Sequence, residues 1–364
     1  MGLRNKRSIA GALAAAALFG ASTPAAKMLG AELHPFALAG LLYAGSGIGI
    51  TLWILARHLA DRRPIRLGIA SVDLPWLAGS VLTGGVLAPG LLMLGLAATQ
   101  ATVASLLLNL ESVFTALIAW FVFRENFDRR IALGMALITA GGVVLSMTPG
   151  TLVQVDAAAL LVGAACLFWA IDNNLTRKIS AGDPLGIAAI KGGVAGTTNL
   201  ALAIFAGASW PAAGTALSAM AVGFAGYGFS LVLFVVALRE LGAARTGAYF
   251  STAPFVGVAL AIGVLGEPVT GAFWLAAVLM AIGVGLHVSE RHEHTHTHEY
   301  TEHSHAHMHD EHHRHTHDFN WSGSTSPTGS SSPTGSSSHT HAHRHVRLTH
   351  RHPHFPDIHH RHEH

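Results

Sequence analysis

Long apolar stretches separated by short polar turns recur along the first 288 residues of the chain. A helix needs about 20 mostly apolar residues to cross a bilayer. Ahead of nine such stretches, a basic start leads into an Ala-rich run that continues through Pro24, so we expect a retained helix rather than a cleaved signal peptide. The pattern therefore predicts ten membrane-spanning helices, the later nine at about 34–56, 74–96, 100–123, 131–148, 157–176, 185–207, 216–238, 243–265 and 271–288.

Composition supports an all-α integral membrane protein. Hydrophobic residues make up 51% of the 364 residues and charged residues only 12%, about half of what soluble domains carry. The single cysteine, Cys166, excludes an intrachain disulfide. We expect the lipid bilayer as the main partner, with a homodimer as a further arrangement, and we expect no nucleic-acid partner, no enzymatic activity and no required cofactor.

Basic residues lie on alternate sides of the predicted helices. With the N-terminus in the cytoplasm, the turns that return to that side contain nearly all Lys and Arg of the membrane part, whereas the opposite turns contain only Lys27. Such an asymmetry follows the positive-inside rule. We therefore expect a bacterial inner-membrane protein with both termini in the cytoplasm.

The membrane part contains an internal repeat. A shift of 142 positions places Glu125 on Glu267 and Gly141 on Gly283, and LFGASTPAAK at 18–27 is similar to FWAIDNNLTR at 168–177. Five helices per half is an odd number, so the second half must insert upside down relative to the first. Inverted repeats are a recurring plan of secondary transporters, whose substrate site lies near the membrane midplane between the halves.

These features resemble the drug/metabolite transporter superfamily of the EamA-domain type. The resemblance implies two five-helix repeats, residues 1–148 and 157–289, and a transport function. The second half carries Pro254 where this family places a proline in helix 9. The first half departs from that pattern, because Glu111 and Ser112 stand where an apolar residue and a proline are expected.

Glu111 is the only ionisable residue between Ala101 and Phe123. A carboxyl group in the middle of a membrane helix is costly, by about 2.5 kcal/mol or more, and normally faces the protein interior. Thr115 shares its helix face. We interpret Glu111 as a proton or cation site, with a structural carboxyl as the alternative.

Further polar residues are predicted on helices 6, 7 and 9 at a similar depth. Asp172 and Lys191 form either a structural ion pair or part of a binding site. Oxygen ligands could hold a cation there, or the basic groups could hold a carboxylate or phosphate, and the sequence leaves this choice open. The candidate substrate- or ion-binding residues are Glu111, Thr115, Asp172, Asn173, Asn174, Lys191, Arg245 and Tyr249.

The tail from 290 to 364 differs from the rest of the chain. It holds 23 of the 26 histidines and almost no apolar residues, so we expect a disordered cytoplasmic segment. Imidazole is a common ligand of divalent transition metals such as Ni, Co and Zn. Candidate metal ligands are His292, His294, His296, His298, His303, His305, His307, His309, His312, His313, His315 and His317.

Three functions fit the sequence. The first is a secondary transporter that works by alternating access and carries a divalent transition metal, which the tail collects or senses. The second is an exporter or permease for an amino acid or another small metabolite, with a tail that only regulates or buffers metal. The third is a membrane-anchored metal sensor, for which ten helices with buried acids are excessive.

Overall fold

The structure is a computed structural model and describes residues 3–61, 71–122, 129–146, 156–179, 182–241 and 243–288, together with four short segments of the tail. Between residues 3 and 288 these residues form ten consecutive helical spans, as predicted. Seven of them contain helices long and apolar enough to cross a membrane, and the three shorter apolar helices are Ala132–Ser146, Ala253–Leu265 and Gly271–Leu286. The prediction of an all-α membrane protein is confirmed.

Five spans belong to the first half of the membrane part. They are α1 (Leu3–Gly30), α2 (Pro35–Asp61), α3, α4 and α5 (Arg129–Ser146). Span α3 begins with a 3-10 turn at Ser71–Asp73 and continues as Leu74–Ser80, a π-helical turn at Val81–Leu87 and Ala88–Ala98. Span α4 consists of two helices, α4a (Ala101–Leu107) and α4b (Leu110–Phe121).

The second half repeats this arrangement. Its spans are α6 (Ala157–Ile179), α7 (Pro184–Phe205), α8, α9 and α10 (Gly271–Val288). Span α8 consists of Ala213–Gly223, a π-helical turn at Phe224–Phe229 and Ser230–Leu241. Span α9 consists of α9a (Ala243–Phe250) and α9b (Ala253–Leu265).

Irregular backbone recurs at matching positions in the two halves. The π-helical turn of α8 begins at 224, which is 143 positions after the one in α3 at 81. The interruption of α9 at 251–252 lies 143 positions after that of α4 at 108–109. Both spacings agree within one residue with the 142-residue repeat in the sequence, so the repeat extends to the backbone itself.

Local chemistry explains the two interruptions. Pro254 lies in the first turn of α9b, where its missing N–H costs no helical hydrogen bond. Side chains compete with the backbone in both places. Ser112 donates to the Asn109 carbonyl oxygen at 2.7 Å, and Thr252 donates to the Tyr249 carbonyl oxygen at the same distance.

Glycines allow α2 and α7 to pack closely. A Cβ atom on Gly47 would lie 2.3 Å from the Gly193 nitrogen, and one on Gly196 would lie 2.5 Å from the Ala44 nitrogen. Only a residue without a side chain permits such an approach, which is a common basis of helix packing in membranes. This contact joins the first half of the membrane part to the second.

The tail forms a separate unit in which four strands are described. They are β1 (Glu293–His298), β2 (Thr301–His307), β3 (His339–His345) and β4 (Leu348–Pro353). β1 pairs antiparallel with β4, and β2 with β3. The sequence predicts disorder over the whole of residues 290–364, whereas these four segments are strands. The rest of the tail lies outside the described residues, so disorder there stays a prediction.

Candidate functional site

A buried ion pair joins α6 to α7. The Nζ atom of Lys191 donates to both carboxylate oxygens of Asp172, at 2.7 and 2.8 Å. Both residues are more than 90% buried. Ser80 on α3 donates to the same carboxylate, and so does Thr176, one turn further along α6. Four polar side chains from three helices therefore satisfy one another inside the protein.

The π-helical turn of α3 makes room for this cluster. A Cβ atom on Gly84 would lie 1.8 Å from Oδ2 of Asp172, so only glycine fits there. The Gly84 carbonyl oxygen accepts hydrogen bonds from the Tyr43 hydroxyl at 2.6 Å and from the Trp169 indole at 3.1 Å. Asn199 donates to the next carbonyl, that of Gly85, at 2.8 Å. Side chains of α2, α6 and α7 thus hold the irregular turn against Asp172.

Glu111 lies in the first turn of α4b, just after the interruption of α4. Its Oε1 atom accepts a hydrogen bond of 2.6 Å from Nδ2 of Asn173. One turn further along α4b, the Thr115 hydroxyl is buried and has no hydrogen-bond partner among the described residues. The α4b face that points toward α6 therefore carries one carboxyl group and one free hydroxyl.

An aromatic cluster extends from α6 toward α1, α8 and α9. The ring of Phe19 lies 5.8 Å from those of Trp169 and Tyr227 and 5.4 Å from that of Phe250, measured between centroids. Tyr43 lies 5.1 Å from Tyr227. Phe19 and Trp169 are also matching positions of the 150-residue similarity between α1 and α6, so equivalent residues of the two halves meet here.

The structure separates the predicted site residues. The structure brings four of them together in two pairs, Asp172 with Lys191 and Glu111 with Asn173. Asn174 is buried and donates to the Ala170 carbonyl oxygen of its own helix. Tyr249 packs on a small cluster that contains Ala12 and Leu241. The side chain of Arg245 lies outside the described residues, so its predicted place beside Asp172 stays a prediction.

Sequence reasoning missed several residues of this site, namely Ser80, Gly84, Tyr43 and Trp169. A Gly-Gly pair within an apolar run was the available signal for the irregular turn, since glycine weakens a helix by up to about 1 kcal/mol relative to alanine. The roles of the hydroxyl, phenol and indole groups depend on which helices meet. No periodicity within one helix contains that information.

Two charged side chains hold the turn between α3 and α4. Glu267 accepts hydrogen bonds of 2.8 Å from the backbone N–H groups of Ala101 and Thr102, at the N-terminus of α4a. Lys27 donates to the carbonyl oxygens of Leu96 and Thr99, at 2.6 and 2.7 Å. Each charge lies at the helix end that the peptide dipoles favour for its sign. The repeat partner of Glu267, Glu125, lies outside the described residues.

The described residues contain no candidate metal site. Within the part of the chain that the structure describes, no three His, Cys, Asp or Glu side chains come together in a way that could hold a metal ion. The side chains of the tail histidines lie outside that part, so their role as metal ligands stays a prediction.

Comparison with known proteins identifies the family. The model of the EamA-like transporter family matches residues 6–147 and again 156–289. This chain belongs to the EamA-like transporter family. The two matches coincide closely with the two halves seen in the helical spans, and the predicted resemblance is confirmed. The chain is a multi-pass transporter of the lipid bilayer.

Individual relatives agree with this assignment. An uncharacterized transporter of Methanothermobacter thermautotrophicus is 29% identical over 286 residues, which cover 75% of this chain and 83% of that protein. A probable 4-amino-4-deoxy-L-arabinose-phosphoundecaprenol flippase subunit ArnE of Pseudomonas fluorescens is 44% identical over 71 residues, 20% of this chain and 60% of that one. A solved crystal structure matches with a TM-score of 0.58 at 18% identity, over 76% of this chain and 95% of the other, which shows a shared fold.

Proposed function

We propose that this EamA-like protein is a secondary transporter that moves a small organic metabolite across the membrane by alternating access. The observation that carries the proposal is the placement of two polar pairs at adjacent positions of α6. Asp172 pairs with Lys191, buried against the irregular turn of α3, and Asn173 pairs with Glu111, partly buried beside the interruption of α4. Ionisable groups inside a membrane domain are costly and mark transport pathways. Interrupted helices at matching positions of two repeats are typical of the substrate site of secondary transporters.

In the proposed arrangement, the repeats 1–148 and 157–289 have inverted topologies in a bacterial inner membrane. Both termini lie in the cytoplasm, as the distribution of Lys and Arg predicts. The Asp172–Lys191 pair then lies toward the cytoplasmic side, since each residue is seven positions from the nearer helix end of the α6–α7 connection. The α3–α4 turn, held by Lys27 and Glu267, lies on the opposite side.

An organic cargo is favoured over a metal ion by the way the charged groups are used. The charge of Asp172 is balanced by Lys191, and the carboxyl group of Glu111 accepts a hydrogen bond from the amide of Asn173. A divalent cation would have to displace Lys191 to use both carboxylates. The cargo in the name of the Pseudomonas fluorescens relative is also organic, a lipid-linked amino sugar. The metal-cargo hypothesis finds no ligand set in the described part of the chain.

The experiment reconstitutes the full chain in liposomes loaded with a mixture of amino acids, amines, carboxylates and sugars, and follows efflux by mass spectrometry. We expect selective efflux of at least one organic solute compared with protein-free vesicles. The double variant Asp172→Asn/Lys191→Met, which removes both charges together, should lower that efflux at least tenfold. The matched control Glu32→Gln changes an exposed carboxylate in the α1–α2 turn and should leave the efflux at the wild-type level.

Parallel vesicles are loaded with nickel, cobalt or zinc. Metal flux without efflux of any organic solute would overturn the proposal and restore the metal hypothesis. Equal organic efflux from the wild type and the double variant would place the transport path away from the α6–α7 pair.

A further inference from the structure

The carboxyl group of Glu111 has no counterpart in the second half of the protein. A shift of 142 positions places Ala253 at the equivalent site, and Ala253 is buried against Gly20 of α1. The repeat therefore supplies the interruption of the helix in both halves but a carboxyl group in only one. A feature that the repeat does not require needs an explanation of its own.

Glu111 differs from Asp172 in that no positively charged side chain among the described residues pairs with it. Among the described residues, three Asp, Glu or Lys side chains lie near this interruption: Asp172 and Lys191, which are buried, and Glu111, which is partly buried. Lys191 and Asp172 compensate each other through two contacts shorter than 3 Å. Glu111 has the neutral amide of Asn173 instead. An ionised carboxylate without a positive partner is costly to bury, so this site is complementary to a positively charged ligand.

The free hydroxyl of Thr115 is a second feature of this site. Threonines inside membrane helices usually satisfy their hydroxyl group on the carbonyl oxygen four residues earlier. Thr51, Thr83 and Thr197 do so in this protein, at 2.7 to 2.8 Å. The Thr115 hydroxyl is buried and makes no such bond among the described residues. It lies one turn from Glu111, so a ligand with several N–H donors could bond to both.

The aromatic cluster is a third feature of this site. Trp169 precedes Asn173 by four residues on α6, so both side chains lie on one face about 6 Å apart along the axis. Phe19, Tyr227 and Phe250 surround that end of the cluster. Aromatic faces attract cations and also accommodate apolar groups. The neighbourhood of Glu111 thus combines a carboxyl group with a wall suited to an organic cation.

We propose that Glu111, Asn173 and Thr115 form a subsite that binds the protonated amino group of an organic solute, while the aromatic cluster contacts its carbon skeleton. This assignment rests on the proposed transport function and specifies the cargo. Glu111 supplies the charge and Thr115 accepts one N–H bond. Asn173 is a positioning residue, because its amide holds the carboxyl group toward α6. Solutes that carry only negative charge are disfavoured at this subsite, because the Glu111 carboxylate repels them.

The test measures binding of three probes to the detergent-solubilised full chain by calorimetry and by the shift in unfolding temperature. Phenethylamine carries an ammonium group, 3-phenylpropionate carries a carboxylate on a similar skeleton, and 2-phenylethanol is neutral. We expect phenethylamine to bind at least tenfold more tightly than either other probe. The N-trimethylated form of phenethylamine lacks N–H donors and should bind several-fold more weakly than phenethylamine.

Three variants assign the preference to the subsite. Glu111→Gln should reduce phenethylamine binding at least tenfold and leave the weak binding of 2-phenylethanol unchanged. Thr115→Val keeps the shape of the side chain and should reduce the difference between phenethylamine and its N-trimethylated form, because the N–H bond to Thr115 is lost while that to Glu111 remains. The control Glu32→Gln should behave as the wild type. If Glu111→Gln fails to fold, the wild-type probe series and Thr115→Val decide the question.

Equal affinity of the wild type for phenethylamine and 3-phenylpropionate would overturn the assignment, and so would no measurable binding of phenethylamine. Unchanged phenethylamine binding by folded Glu111→Gln would also overturn the assignment, because Glu111 would then not supply the charge that binds the amine. Each of these outcomes leaves the liposome experiment intact, because efflux of an organic solute without a preference for amines refutes this subsite and not the transport function.

Discussion

Lys191 and Asp172 form a two-contact ion pair between α6 and α7, with the Nζ atom 2.7 Å and 2.8 Å from the two carboxylate oxygens. From the sequence, Asp172 and Lys191 were expected to form either a structural ion pair or part of a binding site. The added contacts from Ser80 and Thr176 mean that the carboxylate accepts bonds from three side chains. Neither charge can therefore be removed alone without leaving the other buried and unpaired.

The first prediction concerns this pair. Lys191→Met leaves the Asp172 carboxylate buried without its cation and should lower the free energy of unfolding by about 3–5 kcal/mol. The double variant Asp172→Asn/Lys191→Met should recover most of that loss, because no unpaired charge remains. Unfolding in mixed micelles measures both, with the wild type as reference. A single variant as stable as the double variant would contradict the prediction.

The second prediction concerns the π-helical turn of α3. Gly84→Ala places a methyl group 1.8 Å from Oδ2 of Asp172. Because this distance is far shorter than a van der Waals contact, the ion pair must shift. We expect a loss of about 1–3 kcal/mol in the free energy of unfolding, as overpacking typically costs, together with loss of transport. The matched control is Gly163→Ala on α6, where nothing lies within 4 Å of the new methyl group. Equal behaviour of the two variants would refute the role of Gly84.

The third prediction concerns the cap that Glu267 provides for α4a. Hydrogen bonds to a charged group contribute about 1.5–3 kcal/mol and neutral ones about 0.5–1.5 kcal/mol, so Glu267→Gln, which keeps one acceptor oxygen, should lower the free energy of unfolding by about 1–2 kcal/mol. The effect should be local, since both bonds go to the amides of Ala101 and Thr102. Hydrogen exchange should become faster at these two amides. Unchanged exchange there, or an equal change in Glu32→Gln, would argue against the cap.

The fourth prediction concerns the tail. A chain that ends after Ser289 should keep the efflux of organic solutes, because the proposed site lies entirely in the membrane part. It should lose the nickel and zinc binding that we expect of the full chain, whose tail holds 23 histidines. Calorimetric titration with each metal checks the second point. Retained stoichiometric metal binding in the shortened chain would place the metal site outside the tail.

The length of the apolar runs predicted the spans because a bilayer leaves the backbone few alternatives. Every N–H and C=O group in hydrocarbon needs a hydrogen-bond partner, and a helix supplies all of them within one segment, so an apolar run of about 20 residues predicts a helix. The predicted run 157–176 became α6, Ala157–Ile179, and the run 185–207 became α7, Pro184–Phe205.

The sequence by itself determined the membrane class, the ten spans and the repeat, since these depend on composition and on order along the chain. The tertiary structure decided which polar side chains meet. Asp172, Asn173 and Asn174 are consecutive, yet they contact Lys191, Glu111 and the Ala170 carbonyl oxygen, respectively. Successive residues of a helix point about 100° apart, so each side chain faces a different neighbour. Which neighbour lies there depends on how the helices are rotated and packed, and that is a property of the assembled protein alone.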